Sequence, residues 1–431
     1  MGEKRMKKRH RPMQLAAVVG VVALTGLTLS ACSSSTKTGT SSTTSASGGG
    51  GGNKPTGTPF KVGFIAQQSG AQQSAVTGVQ PSAQAWANYM NANGGINGHP
   101  VQLDVQLEPS NPGVALTDVQ KLVSDGVIAI IDNDGGDDAS WTSYIESQNI
   151  PVYATGFNSP AMTISHNNFS PATSEFYFDF ELVASAKKVG KTKMAFLYCA
   201  EQPVCAQEVA PLKQTAQAQG VQVVYTAAIN ASSPNYTAQC LAAKAAGADV
   251  MYIADAPAPV LAVAANCIQQ GYNPIQISDD GAFSQSFAKA PGFEGMVATE
   301  DNIPFFVTST PASKTMHDAW NKYEPSIESS PNLDEEAVLA WTSGMLIKEG
   351  AEAGGVGTTA PLGGPALIAG MYKLHTTNVD GMTPTLTFEP NQPHESQCWF
   401  WVRIQNGKFT TPYGLTPECA QAPANIIPPG M

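Results

Sequence analysis

The chain has 431 residues, 42% of them apolar and 13% charged, with 34 acidic against 23 basic residues and a net charge of −11. That length predicts more than one domain, and the apolar fraction is enough to build buried cores. The negative balance argues against nucleic acid as a partner, and the chain beyond its N-terminal segment has no apolar run long enough for a membrane span.

Residues 1–31 read as a secretory signal. Basic residues between Lys4 and Arg11 precede an apolar run over 15–29 that ends in "LSAC". The tetrapeptide matches the bacterial lipobox, in which the cysteine is diacylated and becomes the first residue. Cys32 is therefore the expected lipidation site, with an ordinary signal or an uncleaved anchor as the alternative. Two or more acyl chains hold a protein stably on a membrane face, whereas one does not. The Ser/Thr/Gly tract over 32–59 buries nothing and predicts a disordered tether with an r.m.s. reach of about 30 Å. Loss of residues 1–31 removes six basic residues and Glu3, leaving 17 basic against 33 acidic residues. Six cysteines then remain, and an even count in an exported chain suggests three disulfides. Fifteen pairings are possible; proximity in sequence favours Cys199–Cys205, Cys240–Cys267 and Cys398–Cys419, with free buried thiols as the alternative.

From residue 60 the chain alternates strand and helix. "KVGFIA" at 61–66 is a short apolar strand, followed by a polar loop over 67–78 that carries Gln68, Ser69 and Gln73. Val79, Ala83, Trp86 and Met90 then recur at helical spacing up to the stop at Gly94 and Gly95. "VQLDVQL" at 101–107 alternates as a half-buried strand, a helix covers 114–124, and "VIAII" at 127–131 is a buried strand. A helix over 139–148 and the strand "PVYA" close this series. A second series begins with a helix over 176–189, the strand "KMAFLY", a helix over 206–219 and the strand "VQVVYTA". It continues through a helix over 236–246, the strand "DVMYIA", a helix over 259–270 and the strand "PIQIS". Repeated units of this kind predict parallel, doubly wound sheets, and two series predict two α/β lobes. Helices over 313–323, 335–348 and 363–375 precede the strands "PTLTF" and "CWFWVRI", and "NGKF" signals a hairpin.

The strand at 127–131 runs into an acidic turn, in which Asp132, Asp134, Asp137 and Asp138 surround Gly135 and Gly136. A calcium loop of the EF-hand type needs oxygen ligands at its first, third and fifth positions and Glu at its twelfth. Counted from Asp132 those last two are Gly136 and Ser143, so the linear pattern fails and no metal is expected. Asp137 and Asp138 also suit a helix start, where carboxylates complement the dipole. Gly135 and Gly136 are the better candidates for a ligand turn, since a missing Cβ lets a ligand approach backbone N–H groups. Trp141 lies one turn further on, either at the cleft or in the core.

Several stretches together resemble the type I periplasmic binding proteins of the branched-chain amino-acid ABC-importer kind. They are "VGFIAQQSG", "AWANYMNANGGINGHPVQLDVQLEPSNPGVALTDVQKLVSDGVIAIID", "IPVYATGFNSPAMT", "VGKTKMAFLY" and "AAKAAGADVMYIADAPAPVLAVAANCIQQGYNPIQIS". The resemblance implies two Rossmann-like lobes joined by a hinge with three crossings. It places 60–172 with 300–378 in one lobe and 173–299 with 379–431 in the other, closing over a trapped ligand. In such proteins the turn after the third strand holds a ligand carboxylate through Ser or Thr; here it maps to Gly135 and Gly136. The second ligand turn maps to Gly156, Phe157 and Asn158. The carboxylate for a ligand ammonium maps to Asp280, with Asp279 beside it. The family's stacking aromatics fall near Pro203 and Ala256, neither aromatic here. Glu201 and Asp255 join the acidic set near strand ends, which contains no Lys or Arg, so a neutral or ammonium-bearing polar ligand is favoured over a dianion. The implied partners are that ligand, an ABC permease with its ATPase subunits and, through the lipid, the membrane. A monomer without cofactor is expected.

Six histidines are scattered, and no GxSxG, HExxH, P-loop or GxGxxG falls in the strand–turn–helix context its chemistry needs. An enzyme is not expected. A sensor presenting its ligand to a signalling receptor is the main alternative to an importer component.

Overall fold

Two parallel sheets, each flanked by helices, organise the chain; the computed structural model describes residues 54–68, 78–173, 177–279, 281–392 and 396–420. The first sheet contains β1 (Phe60–Gln67), β2 (Val101–Glu108), β3 (Ala129–Asn133) and β4 (Val152–Ala154), in the order β2–β1–β3–β4 and all parallel. Helices α1 (Val79–Ala92), α2 (Pro112–Ser124), α3 (Thr142–Gln148) and α4 (Pro160–Thr163) connect or follow them. Strands β1 and β3 are buried on both faces, which is why they read as continuous apolar runs. One face packs Ile65, Ile130 and Val152 against Leu122 of α2, and the other packs Phe64 and Ile131 with Trp86 of α1.

The second series gives α5 (Phe178–Lys188), β5 (Lys193–Cys199), α6 (Pro203–Gln207), α7 (Val209–Ala218) and β6 (Gln222–Ile229). It continues with α8 (Thr237–Ala245), β7 (Val250–Ala254), α9 (Pro257–Gln269), β8 (Ile275–Ser278) and β9 (Val297–Glu300). The single helix expected over 206–219 is two, and Pro211, which has no N–H to donate, is accommodated in the first turn of the second. After β9 come α10 (Pro311–Tyr323), α11 (Ser326–Ser329), α12 (Glu335–Gly354) and α13 (Gly364–Leu374). Of these, α10 and α12 pack on α1. A Cβ on Gly344 would stand 2.3 Å from the Trp86 ring, so only glycine lets α12 lie this close to α1.

The remaining strands are β10 (Thr376–Thr377), β11 (Leu386–Thr387), β12 (Cys398–Gln405), β13 (Lys408–Thr410) and β14 (Glu418–Cys419). Strand β12 joins the second sheet antiparallel to β9, giving the order β13–β12–β9–β8–β7–β5–β6. The "NGKF" signal is the β12–β13 hairpin, with Asn406 (φ 56°) and Gly407 (φ 67°) both left-handed as a type I′ turn requires. "PTLTF" forms a shorter strand than expected, in a separate two-stranded sheet. Only Leu386 and Thr387 pair, with β10, because Pro384 has no N–H for a longer ladder.

The chain passes from the first sheet to the second after β4, returns after β9, and crosses again before β12. Thr173 ties all three passages together. Its N–H donates to Asp301 Oδ2 at 2.8 Å and its hydroxyl to Cys398 O at 2.7 Å. Three disulfides join Cys199 to Cys205, Cys240 to Cys267 and Cys398 to Cys419.

Cys32 and most of the expected tether lie outside the described residues. Its last residues belong to the fold, since the N–H groups of Thr56 and Gly57 both donate to Gly98 O. The tether expected to reach residue 59 therefore ends sooner, because these backbone groups find partners on the turn before β2. Among the described residues no helix is long and apolar enough to cross a membrane.

Candidate functional site

Ligands of open parallel sheets sit beyond the carboxyl ends of the strands, where the strand order reverses. That point lies between β1 and β3 in the first sheet, and between β5 and β7 in the second. Gln67 ends β1, the 132–138 turn leaves β3, and Gln202 follows β5. They meet at Gly136. A Cβ there would stand 2.4 Å from Gln67 Nε2 and 3.1 Å from Gln202 Nε2, so the missing side chain lets the ends of the two sheets approach. Gly135 is as tightly placed, since its Cβ would stand 1.8 Å from Phe157 O on the turn after β4.

The acidic turn holds itself together with most of its carboxylates. Asp132 Oδ1 accepts from Asp134 N at 2.8 Å, bending the chain out of β3. Asp138 Oδ2 accepts from Ser159 N at 3.0 Å, fastening the turn to the segment after β4. Asp134 Oδ2 accepts from Trp141 Nε1 at 3.1 Å. Asp137 turns to β1, where Gln67 Nε2 donates to its Oδ2 at 3.4 Å. Burial raises Asp132 to about 7 and, with Asp132 alongside, Asp134 to about 10. Asp138 is likewise raised well above the carboxylate range, first by burial.

A carboxyl from a distant part of the chain completes the cleft. Glu336 sits at the start of α12, and Asn133 Nδ2 donates to its Oε2 at 3.4 Å. Its Oε1 would stand 2.9 Å from a Cβ on Gly156 (φ 127°) and 2.9 Å from one on Gly281 (φ 65°). The carboxyl is thus wedged between the turn after β4 and the turn after β8. Burial pushes Glu336 up to about 8, against the lowering effect of the Asn133 bond. In the second sheet, burial raises Asp255 and Asp279 each to about 7. Asp255 Oδ1 accepts from Ala256 N, and a hydrogen bond from Tyr252 opposes the shift of Asp279. None of the 23 basic residues lies in any of these turns.

Several expected site residues stand elsewhere. Trp141 is fully buried among Ile130, Ile145 and Val152, and its N–H is committed to Asp134; it is core and does not face the cleft. Gln68 is exposed and donates to Leu107 O at 2.8 Å, whereas its neighbour Gln67 faces the turn, because successive strand residues point to opposite faces. Glu201 is exposed and accepts from Ala231 N at 2.7 Å; Gln202 is the residue that reaches Gly136. Asp134 lies within the turn with its side chain fully buried. Gly135, Gly136, Gly156, Asp255 and Asp279 do lie at the strand ends. Phe157 is exposed at the mouth, and Asn158 Nδ2 donates back to Gly156 O at 3.2 Å. Ser69, Gln73 and Asp280 lie outside the described residues. Sequence reasoning missed Gln67, Gln202 and Glu336. Strand parity was a signal for Gln67, while "LDEEA" read only as a helix start.

The sequence pattern of the family described as Periplasmic binding protein matches residues 59–408. The chain belongs to this family. It is a binding protein and not an enzyme, and its fold is the type I form. No curated protein matches it in sequence. Among solved structures it is similar to a solute-binding protein of an R. palustris ABC transporter in complex with benzoate, at 14% identity and a TM-score of 0.68, covering 82% of this chain and 95% of that one. It is similar to a fatty acid ABC transporter substrate-binding protein from Thermomonospora curvata, at 17% identity and 0.67, covering 83% and 92%. A leucine binding protein from Thermotoga maritima is similar at 15% identity and 0.66, covering 81% of this chain and 97% of that one. At such identities the likeness is one of fold. In this periplasmic binding protein, the strand-end turns of the two sheets approach each other at Gly136.

Proposed function

We propose that the protein is the extracytoplasmic solute receptor of an ABC importer, held on the membrane by an acylated Cys32. It takes an ammonium-bearing or neutral, donor-rich small molecule between lobes formed by 60–172 with 300–378 and by 173–299 with 379–431. Closure buries the ligand, and the closed form docks on a permease driven by its ATPase subunits. The ligand's donors go to Asp280, Asp279, Asp255 and Glu336, while the N–H groups of Gly135 and Gly136 contact its other end. The observation that carries this reading is the convergence of carboxyls on turns that contain no Lys or Arg. A dianion entering there meets negative potential that a few helix N-termini hardly offset. Leucine, bound by one of the similar proteins, carries an ammonium as well as a carboxylate.

Thermal-shift screening of the mature protein against ammonium-bearing, neutral and dianionic metabolites tests the ligand class. Stabilisation by members of the first two sets is expected, and a dianion as the best ligand overturns the reading. Mass spectrometry tests the anchor: a diacylated Cys32 is expected, and an unmodified chain beginning at Ser33 overturns it.

A further inference from the structure

The ends of three adjacent strands bring a second group of carboxylates together beside the cleft, away from Glu336. Glu108 ends β2, Gln67 ends β1 as its ladder partner, and Asp134 and Asp137 lie on the turn after β3. One oxygen each from Glu108, Asp134 and Asp137 lies within 4.8 Å of the others. The hydrogen bonds made here leave specific oxygens over. Glu108 Oε2 is taken by Asn111 N at 2.6 Å, and Asp134 Oδ2 by Trp141 Nε1 at 3.1 Å. Among the described residues no donor reaches Glu108 Oε1 or Asp134 Oδ1, and both side chains are fully buried. Buried carboxylate oxygens are paired or coordinate a metal, because leaving them unpaired costs several kcal/mol. No lysine or arginine occurs between residues 62 and 120 or between 122 and 186, which contain all of these side chains.

We propose that Glu108, Asp134 and Asp137 bind a divalent cation of the calcium class at the edge of the cleft, beside the ligand turn. The donor set is all oxygen, which selects a hard cation over zinc or copper. Oxygens bound to one Ca²⁺ at about 2.3–2.6 Å stand no more than about 5 Å apart, and the three here meet that limit. Rotating the Gln67 amide by half a turn offers its oxygen as a fourth ligand, and water completes the shell. The linear loop pattern misses this site because Glu108 comes from another strand. An ion here would also fasten the ligand turn to the edge strand β2, so it would fix the position of Gly136 before ligand arrives.

The test uses the mature, disulfide-intact protein stripped with EDTA, with Ca²⁺ alone and then Tb³⁺ as probes. Trp141 touches Asp134, so Tb³⁺ bound there is sensitised by indole excitation. One saturable ion per chain is expected, displaced by Ca²⁺. Glu108→Gln and Asp137→Asn should each weaken it at least about tenfold. In EDTA these variants should melt no lower than the parent, since each removes a repelling charge; added Ca²⁺ should raise the parent alone. Asp125→Asn, on the exposed partner of Lys121, should behave as the parent. Absence of saturable binding at millimolar Ca²⁺ overturns the site in favour of carboxyls that share protons. Binding undiminished in both Glu108→Gln and Asp137→Asn also overturns it. Should one variant fail to fold, the other decides.

Discussion

Glu336 Oε1 and Gly156 are so close that a Cβ on the glycine would stand 2.9 Å from that oxygen. The contact joins the start of α12 to the turn after β4, elements about 180 residues apart in a chain whose fold alone brings them together. Gly156 also has φ 127°, a conformation that residues with a Cβ rarely adopt. Gly156→Ala is therefore expected to lower stability by about 1–3 kcal/mol and to push the Glu336 carboxyl aside. Thermal unfolding checks the first effect, and an unchanged melting temperature would show that the carboxyl is not confined there.

Replacing Glu336 by glutamine keeps its shape but prevents it from ionising when an ammonium arrives, which separates ligand recognition from packing. Glu336→Gln is expected to weaken an ammonium-bearing ligand by about 1.5–3 kcal/mol, the worth of a hydrogen bond to a charged group. Asp280→Ala should act in the same direction. Calorimetry with the ligand found by screening measures both, and full affinity in both variants would move the donor site elsewhere.

The same carboxyl makes stability depend on pH. Glu336 is raised from 4.5 to about 8, and Asp255 and Asp279 from 3.8 to about 7, in each case chiefly by burial. A raised acid holds its proton in the folded protein at pH values where the unfolded chain has lost it. Its stabilising contribution is thus complete below the unfolded value and is lost as pH rises through the folded one. Asp334, on the same helix start, is raised well above the ordinary carboxylate range, first by burial and then by Glu336, and acts in the same direction. The ligand-free protein should become less stable between about pH 4 and pH 8. Denaturant titrations across that window should show a shallower slope for Glu336→Gln, and an identical slope would remove Glu336 as a source.

Two of the three disulfides join elements that no sheet pairs, and the third reinforces a strand pair. Cys240–Cys267 joins α8 to α9, and Cys398–Cys419 holds β14 against β12. Thiol titration of the unfolded, unreduced protein should find no free thiol. Replacing Cys240 and Cys267 together by alanine should cost about 2–4 kcal/mol of stability. Several free thiols per chain would contradict the pairing.

Much of the architecture was legible because it repeats a local signal. Val62, Phe64, Ile130 and Ile131 sit in short apolar runs between turn residues, and such runs become strands wherever helices cover both faces. Asn406 and Gly407 dictate their own turn through φ alone. The cysteine pairs follow from nearness along the chain. In the site, Gly135 and Gly136 were legible as a turn without side chains, but the roles of the carboxylates around them were not. Asp132, Asp134 and Asp138 look equivalent in sequence, yet each is spent on a donor within the turn or its neighbours.

By itself the sequence determined the strand–helix alternation, the glycine turns at the strand ends and the absence of basic residues near them, since each depends on residues close in the chain or on composition. Only the tertiary structure decided which side chains face the cleft. Gln67 rather than Gln68 is a matter of one residue at a strand end, where a single step reverses the face, and Gln202 rather than Glu201 of one residue in the turn after β5. Glu336 reaches the cleft because α12 packs on α1 through Gly344, and Glu108 meets Asp134 because β1 lies between β2 and β3. Contacts between segments so far apart leave no periodicity in the chain, because they are set by how the layers pack.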